Sequence, residues 1–273
     1  MTPSTFDTIT LATDSRGVAT LTLNRPDKHN AMNAPMIADL AAACTQIAGD
    51  AAIRVVILTG QGAERAFCAG GDLGWMREQM QAPRETRMAE ARALAQVFRG
   101  LNELPKPVIG RIQGNAFGGG VGLTSCCDVA IGVEGAKLGL TETRLGLIPA
   151  TIAPYVIARM GEARARRVFM SSRLFEAAEA KDLGLLSRVV IPEALDAAVE
   201  REVAPYLSAS PTAVAAAKAL ARHLGPVIDD AVIEDTVRRL ADTWETADAK
   251  EGISAFFEKR KAVWGAEPPA GAP

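Results

Sequence analysis

Two glycine-rich turns and one glutamate are the parts of the sequence whose residue types could carry chemistry. Residues 67–73 follow an apolar strand candidate, and residues 114–128 hold three consecutive glycines between a β-type segment and a helix-sized apolar segment. Glycine at such a junction lets backbone amides approach a ligand that a side chain would block, and a helix dipole favours negative charge there. Glu142 stands downstream among apolar residues. Together these features indicate a two-amide oxyanion hole beside a general acid/base.

The pattern around the turns predicts the elements that must position them. Alternating polarity in residues 8–13 and 18–23 predicts a β-hairpin, and Asn33 is placed to cap a helix that precedes an apolar strand at 55–59. This β-β-α-β order implies an α/β layered domain. The later pattern predicts a short helix or mobile lid and then a longer helix in 74–104. It predicts strands at 107–113, 128–133, 136–139 and after Gly184. It also predicts helices at 152–160, 162–170, from 175 to Gly184 and from 192 onward, and a disordered tail at 265–273.

Composition argues against several classes of function. A net charge of −2 over 273 residues gives no basic surface for nucleic acid. The apolar runs are too short to span a bilayer, and the first seven residues do not resemble a targeting peptide, so a cytoplasmic location is expected. The four cysteines lack metal-ligand spacing and are interpreted as buried thiols, while two histidines offer little for a Ser-His-Asp triad or a histidine metal site. The glycines match neither the P-loop nor the dinucleotide fingerprint.

In their order along the chain, these segments resemble the enoyl-CoA hydratase/isomerase (crotonase) superfamily, and most of all its bacterial methylglutaconyl-CoA hydratase-like members. The matching segments are 23–33, 67–73, 114–128, 142–149 and 251–261. The resemblance implies an α/β fold with a crotonase-type spiral of β-β-α units in residues 1–205 and a C-terminal helical trimerisation module in residues 206–273. It also implies a homotrimer or hexamer that acts on an acyl-CoA substrate, with no separate cofactor or metal and with no nucleic-acid or membrane partner.

The same resemblance assigns roles to single residues. The backbone N–H groups of Gly71 and Gly119 would hold the thioester oxygen while it becomes an enolate, and Glu142 would transfer the proton. The residues expected to contact coenzyme A are Arg25, Lys28, Ala31, Ala69, Gly71, Asp72, Leu73, Gly119, Phe256 and Lys259, of which Phe256 and Lys259 would approach from a neighbouring subunit. A carboxylate at the far end of the acyl group would need an arginine, and the sequence does not rank the candidates Arg77, Arg84, Arg87 and Arg144.

Gly122 departs from the pattern of the family. Two-glutamate hydratases carry a second glutamate at this position, so the pair of acids that would hold the attacking water is incomplete. Three explanations remain open: Glu142 serves as both acid and base through one water, another side chain has moved in, or the reaction is a one-base Δ3,Δ2-enoyl-CoA isomerisation. A methyl group on C3 of the substrate, as in the breakdown of leucine, isovalerate or acyclic terpenes, would lessen the need for a second base. A non-catalytic acyl-CoA-binding subunit is the alternative from another class.

Overall fold

Strands and helices alternate along most of the chain. The computed structural model describes residues 6–62 and 66–265. The strands are β1 (Ile9–Thr13), β2 (Val18–Leu23), β3 (Val55–Gly60), β4 (Ala66–Cys68), β5 (Val108–Ile112), β6 (Asn115–Phe117), β7 (Val129–Val133), β8 (Lys137–Gly139), β9 (Leu174–Glu176) and β10 (Arg188–Val190). The helices are α1 (Ala34–Gly49), α2 (Leu73–Gln81), α3 (Arg84–Glu103), α4 (Gly119–Ser125), α5 (Ala153–Met160), α6 (Glu162–Phe169), α7 (Ala177–Asp182), α8 (Leu195–Ser208), α9 (Pro211–His223), α10 (Asp230–Trp244) and α11 (Ala247–Phe257).

The strands form two sheets that the chain visits in turn. The larger sheet has the order β1-β2-β3-β5-β7-β10 and the smaller has the order β4-β6-β8-β9. The hairpin β1-β2 and the pair β8-β9 are antiparallel, and the other neighbouring pairs are parallel. Strands β3, β5 and β7 are each followed by a strand of the smaller sheet, and helices follow β4 and β6. This arrangement confirms the predicted spiral of β-β-α units.

Parallel pairing in the smaller sheet decides where the glycine-rich turns meet. Cys68 of β4 lies beside Ala116 of β6, and Phe117 of β6 lies beside Gly139 of β8. Three neighbouring strands therefore end at one edge of the sheet. In parallel sheets ligands bind beyond the carboxyl ends of the strands, because the connecting segments converge there.

The larger sheet and the first helix bury the main core. Strand β3 has the nearly continuous apolar sequence expected for a parallel strand covered on both faces. The predicted cap of α1 is present, because the Asn33 side chain accepts a hydrogen bond from the Met36 N–H at 3.1 Å. The four cysteines are free and buried, as the sequence indicated, and burial raises the pKa of each thiol.

Several element predictions need correction. Strands β4, β6 and β9 were not predicted, because each has three residues and is too short to show a period in polarity. By contrast, the short helix and the longer helix predicted in 74–104 are present as α2 and α3. The predicted domain boundary after residue 205 falls inside α8, which packs on β5 and β7. Residues 266–273 of the predicted tail lie outside the described residues.

The last two helices cover the edge where the turns meet. Helix α10 packs along α3, and α11 packs on a 3₁₀ helix, Glu142–Leu145. Four buried residues form a small apolar cluster of their own: Leu147, Trp244, Ala249 and Ile253. The C-terminal helices therefore form a cover over one end of the smaller sheet.

Across the described ranges, no helix has both the length and the apolar character that crossing a bilayer requires.

Candidate active site

The two glycine-rich turns pack directly against each other. Gly70 and Gly118 have φ angles of +90° and +48°, which side chains rarely permit. A Cβ atom added to Gly70 would lie 2.8 Å from the Phe117 carbonyl oxygen and 3.6 Å from the Gly119 nitrogen. A side chain at residue 70 would therefore separate the two turns.

Each turn presents one backbone N–H to the same cavity. Met32 accepts a hydrogen bond from Asp72 N–H at 2.8 Å and donates one to the Gly70 carbonyl at 2.7 Å. Alternate N–H groups of an extended chain point in opposite directions, so the Gly71 N–H points away from Met32. Among the described residues, none accepts a hydrogen bond from Gly71 N–H or Gly119 N–H. Both glycines line one cavity, which leaves two donors for a ligand atom.

Glu142 faces this cavity from the 3₁₀ helix that follows β8. A Cβ atom added to Gly118 would lie 2.9 Å from Glu142 Oε1, which places the carboxyl against the second glycine turn. Its Oε2 atom is buried and has no hydrogen-bond partner among the described residues. Burial raises the pKa of Glu142 from 4.5 to about 7, although the backbone N–H groups of Glu142 and Thr141 oppose the rise. The carboxyl can therefore give or take a proton near neutral pH.

Helix α11 fixes the position of the 3₁₀ helix that carries Glu142. A Cβ atom added to Gly252 would lie 2.6 Å from the Leu145 carbonyl carbon, and one added to Gly146 would lie 2.7 Å from the Ala249 nitrogen. The two helices thus touch backbone to backbone. This contact accounts for the glycine in the last of the matching segments.

The position of the missing second acid is closed by apolar side chains. A Cβ atom added to Gly122 would overlap Ile152 Cγ2 and would lie 2.9 Å from Phe98 Cε1. Glu142 is the one acid among the described residues that line the cavity. Among these residues no second carboxylate replaces the missing glutamate, so any other side chain that orients the water would have to be neutral or basic.

The cavity has a volume of about 360 Å³ and a mostly apolar wall. Its apolar side chains come from the segment after β2, from α2, α3 and α10, and from the segment that leads into α5; they include Met32, Trp75, Leu94, Ile152 and Trp244. The polar side chains on the wall are those of Gln79, Arg87, Thr141, Glu142, Arg144 and Thr151. An apolar wall with few polar groups is typical of a small-molecule site.

The structure separates the four predicted arginines. Arg87 and Arg144 line the cavity, and Arg144 also donates to the Ser172 carbonyl at 3.4 Å. Arg84, predicted as a possible partner of the acyl carboxylate, lies outside the cavity and pairs with Asp242 at 2.6 Å, which corrects that prediction. Arg77 is a second correction, since its guanidinium stacks 4.6 Å from the centre of the Phe257 ring and lines a different groove.

The other predicted contacts of coenzyme A fall into two groups. Residues of the first group bond to neighbouring protein groups. Arg25 pairs with Asp72 at 3.0 Å and donates to the Ala31 carbonyl at 2.5 Å. The Ala69 N–H donates to the His29 carbonyl at 3.0 Å. The Asp72 carboxylate also caps α2. Lys28 is exposed beside this group. These contacts join the segment after β2 to the first glycine turn.

The second group lies along a groove of about 380 Å³ that shares Leu73 and Phe256 with the cavity. Arg77 and Lys259 line the same groove. Leu73 is 52% exposed and Phe256 is 43% exposed, so the groove and the cavity share an accessible apolar rim. Phe256 lines the cavity of its own chain, whereas the resemblance implied that it approaches from a neighbouring subunit.

Several residues of the site were not singled out from the sequence. Asn30 is fully buried, and its side chain accepts from Arg25 N–H at 3.0 Å and donates to the Phe67 carbonyl at 3.2 Å. Its φ angle of +54° is a conformation that asparagine tolerates better than most residues. The signal in the sequence is therefore the residue type itself. Gln79, Ile152 and Trp244 on the cavity wall carried no such local signal.

Comparisons with known proteins agree with this geometry. Residues 13–267 match the family model described as enoyl-CoA hydratase/isomerase. A putative enoyl-CoA hydratase of Thermus thermophilus is 35% identical over 250 residues, which cover 89% of this chain and 95% of that protein. A crotonyl-CoA hydratase of Syntrophomonas wolfei is 35% identical over 247 residues, or 90% of this chain and 93% of that protein. The crystal structure of an enoyl-CoA hydratase from Shewanella pealeana has a TM-score of 0.77 at 36% identity and covers 95% of this chain and 96% of its own.

Proposed function

The chain belongs to the enoyl-CoA hydratase/isomerase family, and on that basis we propose that it adds water across the C2=C3 bond of an unsaturated acyl-CoA with a methyl group on C3. The substrate we propose is like methylglutaconyl-CoA, from the breakdown of leucine, isovalerate or acyclic terpenes. The observation that carries the proposal is one buried carboxyl, Glu142, that shares a cavity with two free backbone donors.

In the proposed reaction the oxygen of a water molecule bonds to C3. The electrons of the C2=C3 bond move toward the thioester carbonyl, whose oxygen takes up negative charge as an enolate. The N–H groups of Gly71 and Gly119 would donate to that oxygen, and each such donor lowers the barrier by about 3 kcal/mol. Glu142 would take one proton from the water and deliver a proton to C2. One group can do both in sequence, because its ionised form accepts the proton of the water and so becomes the acid that protonates C2; a pKa of about 7 suits both transfers near neutral pH.

A methyl group on C3 of the substrate would compensate for the absence of a second acid at Gly122. Ile152 and Phe98 leave no space for a second carboxylate to activate the water. An alkyl substituent stabilises positive character at C3, so a less activated water can attack. The apolar wall of the cavity suits a branched acyl chain.

A Δ3,Δ2-enoyl-CoA isomerase is the second candidate function. It needs one carboxyl that removes a proton from C4 and returns one to C2, and it needs no water. The same observation favours it, namely that Glu142 is the one acid among the described residues that line the cavity. The two reactions share the enolate and differ in whether water adds.

Two further proposals concern where coenzyme A binds and how the subunits assemble. We propose that the nucleotide end of coenzyme A lies toward Lys259 and Arg77, in the groove that continues from the cavity. We further propose a homotrimer or a dimer of trimers, in keeping with the exposed apolar side chains Leu220, Leu224 and Val227 in and after α9. A cytoplasmic location stays a prediction from the sequence.

A panel of acyl-CoA esters followed by mass spectrometry tests the reaction. We expect 3-methylglutaconyl-CoA to gain one water, and to do so faster than crotonyl-CoA. Equal or reversed rates would contradict the preference for a C3 methyl group. Migration of the double bond in a 3-enoyl-CoA without any gain of water would favour the isomerase. No conversion of any ester, with binding retained, would favour a non-catalytic acyl-CoA-binding subunit.

A further inference from the structure

Two polar side chains on the cavity wall have buried atoms without partners. Gln79 is 6% exposed, and the side chain of Arg87 is 11% exposed. Among the described residues, Gln79 Oε1 and Arg87 Nε have no hydrogen-bond partner, and both residues line the cavity that holds Glu142. Buried polar atoms are almost always hydrogen-bonded in folded proteins. Two such atoms on one wall therefore point to a ligand group.

The structure holds Arg87 in place while leaving its Nε–H free. Arg87 lies in the first turn of α3 and donates to the Gln79 backbone carbonyl at 3.4 Å. A second guanidinium nitrogen pairs with Glu245 just after α10, and the guanidinium lies 5.9 Å from the centre of the Trp244 ring. These contacts use the terminal nitrogens. The Nε–H is thereby oriented without being consumed.

The charges around this wall favour an anion. Glu245, the partner of Arg87, is 50% exposed, so water screens its negative charge more than it screens the buried guanidinium. Arg144 adds a second positive charge at the cavity. Glu142 is the one negative group among the described cavity residues, and it is neutral while it carries its proton. The Gln79 amide can rotate to donate instead of accept, since its oxygen and nitrogen differ little in shape.

We infer that Arg87 and Gln79 form the specificity site of the acyl cavity, where they bind a carboxylate at the end of the acyl chain remote from the thioester. The inference rests on the proposed function and makes it more specific. It selects one arginine from four candidates and adds a residue that no sequence pattern indicated. Arg87 Nε–H and the Gln79 amide donate to the two carboxylate oxygens, which is a charge-assisted arrangement.

Binding to catalytically silent protein tests the site without depending on turnover. All variants carry Glu142→Gln, and calorimetry compares 3-methylglutaconyl-CoA with 3-methylhex-2-enoyl-CoA, which is of similar length but ends in an alkyl group. The test variants are Arg87→Met and Gln79→Leu. Arg84→Met is the matched control, because Arg84 lies one turn away on α3 and also pairs with an acid of α10, but outside the cavity.

We expect the Glu142→Gln protein to prefer the carboxylate ester, and we expect Arg87→Met to reduce that preference by about 10- to 100-fold. Gln79→Leu should reduce it less, and it leaves the pairing of Arg87 with Glu245 intact if Arg87→Met fails to fold. Arg84→Met should leave it unchanged. The absence of any preference, or equal effects of Arg87→Met and Arg84→Met, would overturn the inference. If the preference behaves as expected but no ester is hydrated by the parent enzyme, the specificity site stands and the proposed reaction falls.

Discussion

The floor of the cavity and its cover are built in different ways. The floor consists of the turns at residues 70–71 and 118–119 together with Glu142, and it follows directly from the ends of β4, β6 and β8. Those strands carry fully buried side chains of the main core, such as Phe67, Ala116 and Leu138. The cover consists of α2, α10 and α11. Three of its buried residues, Trp244, Ala249 and Ile253, form a small separate cluster with Leu147. Ion pairs join α10 to α3.

The floor and the cover differ in whether backbone or side-chain atoms line the cavity. In the floor, backbone N–H groups without a partner among the described residues line the cavity, and an added Cβ atom at several positions would touch neighbouring backbone or the Glu142 carboxyl. In the cover, it is side chains such as Trp244 and Gln79 that line the cavity, and they stand on helices and not at the strand ends. Changes in the floor should therefore affect the reaction itself. Changes in the cover should affect the choice of substrate or the free energy of unfolding.

The largest effect is expected from Glu142→Gln, which removes the proton carrier from the floor and keeps its shape. Turnover of the best acyl-CoA ester should fall by about a thousandfold, within the range that general acid/base groups contribute. The dissociation constant measured by calorimetry should change little, because the cavity is unaltered. Glu193→Gln removes an exposed carboxyl far along the chain and serves as the control. Normal turnover of Glu142→Gln would exclude Glu142 as the acid/base.

A methyl group at residue 120 should displace the second glycine turn of the floor. The Cβ atom of Gly120→Ala would overlap the Cys68 carbonyl oxygen, which is backbone, so the start of α4 must move and take the Gly119 N–H with it. Losing one aligned donor should reduce kcat by about 100- to 1,000-fold. Gly49→Ala at the end of α1 is the matched control, because its Cβ atom would meet nothing within 4 Å. If both variants keep wild-type kcat, the Gly119 donor is not needed.

The floor was largely predictable from the sequence, whereas the cover was not. Gly71, Gly119 and Glu142 follow strand ends, and parallel strands bring such positions to one edge whatever the details of packing. Their role also depends on the backbone, which glycine reveals in the sequence. The short strands β4, β6 and β9 were missed, but their absence from the prediction did not change where the turns meet.

In the cover, tertiary packing decides the role of each side chain. Arg84 and Arg87 lie three residues apart on α3 and pair with Asp242 and Glu245, yet only Arg87 lines the cavity. The sequence pattern around the two arginines is alike, so it could not rank them. Gln79 has the pattern of any polar residue of an amphipathic helix, and its burial beside Arg87 is visible only in the structure. The subunit that supplies Phe256 likewise depends on how α11 docks.

The pH dependence of stability should set the floor apart from the rest of the molecule. Burial raises the pKa of Glu142 to about 7, so the folded protein keeps a proton that the unfolded chain releases near pH 4.5. The stability from this proton is complete below pH 4.5 and is lost as the pH rises through 7. Between about pH 4 and about pH 8, the wild type should lose about 3 kcal/mol relative to Glu142→Gln in the free energy of unfolding. Denaturant titrations of both proteins measure this; parallel pH profiles would mean that the carboxyl is solvated.

The smallest effect is expected where the cover meets α3, at the ion pair between Arg92 and Glu234. Two hydrogen bonds of 2.9 and 2.7 Å join the side chains, but these are 44% and 38% exposed, so water competes for both charges. Arg92→Met should therefore reduce the free energy of unfolding by less than about 1 kcal/mol, and by less still in high salt. A double-mutant cycle with Glu234→Gln, measured by denaturant unfolding, isolates the pair from the packing of the arginine stem. Because α10 lies over the cavity without touching the glycine turns, kcat should not change in any member of the cycle. A fall in kcat comparable to that of Gly120→Ala would mean that the cover aligns the floor, and the two regions could no longer be treated as separate.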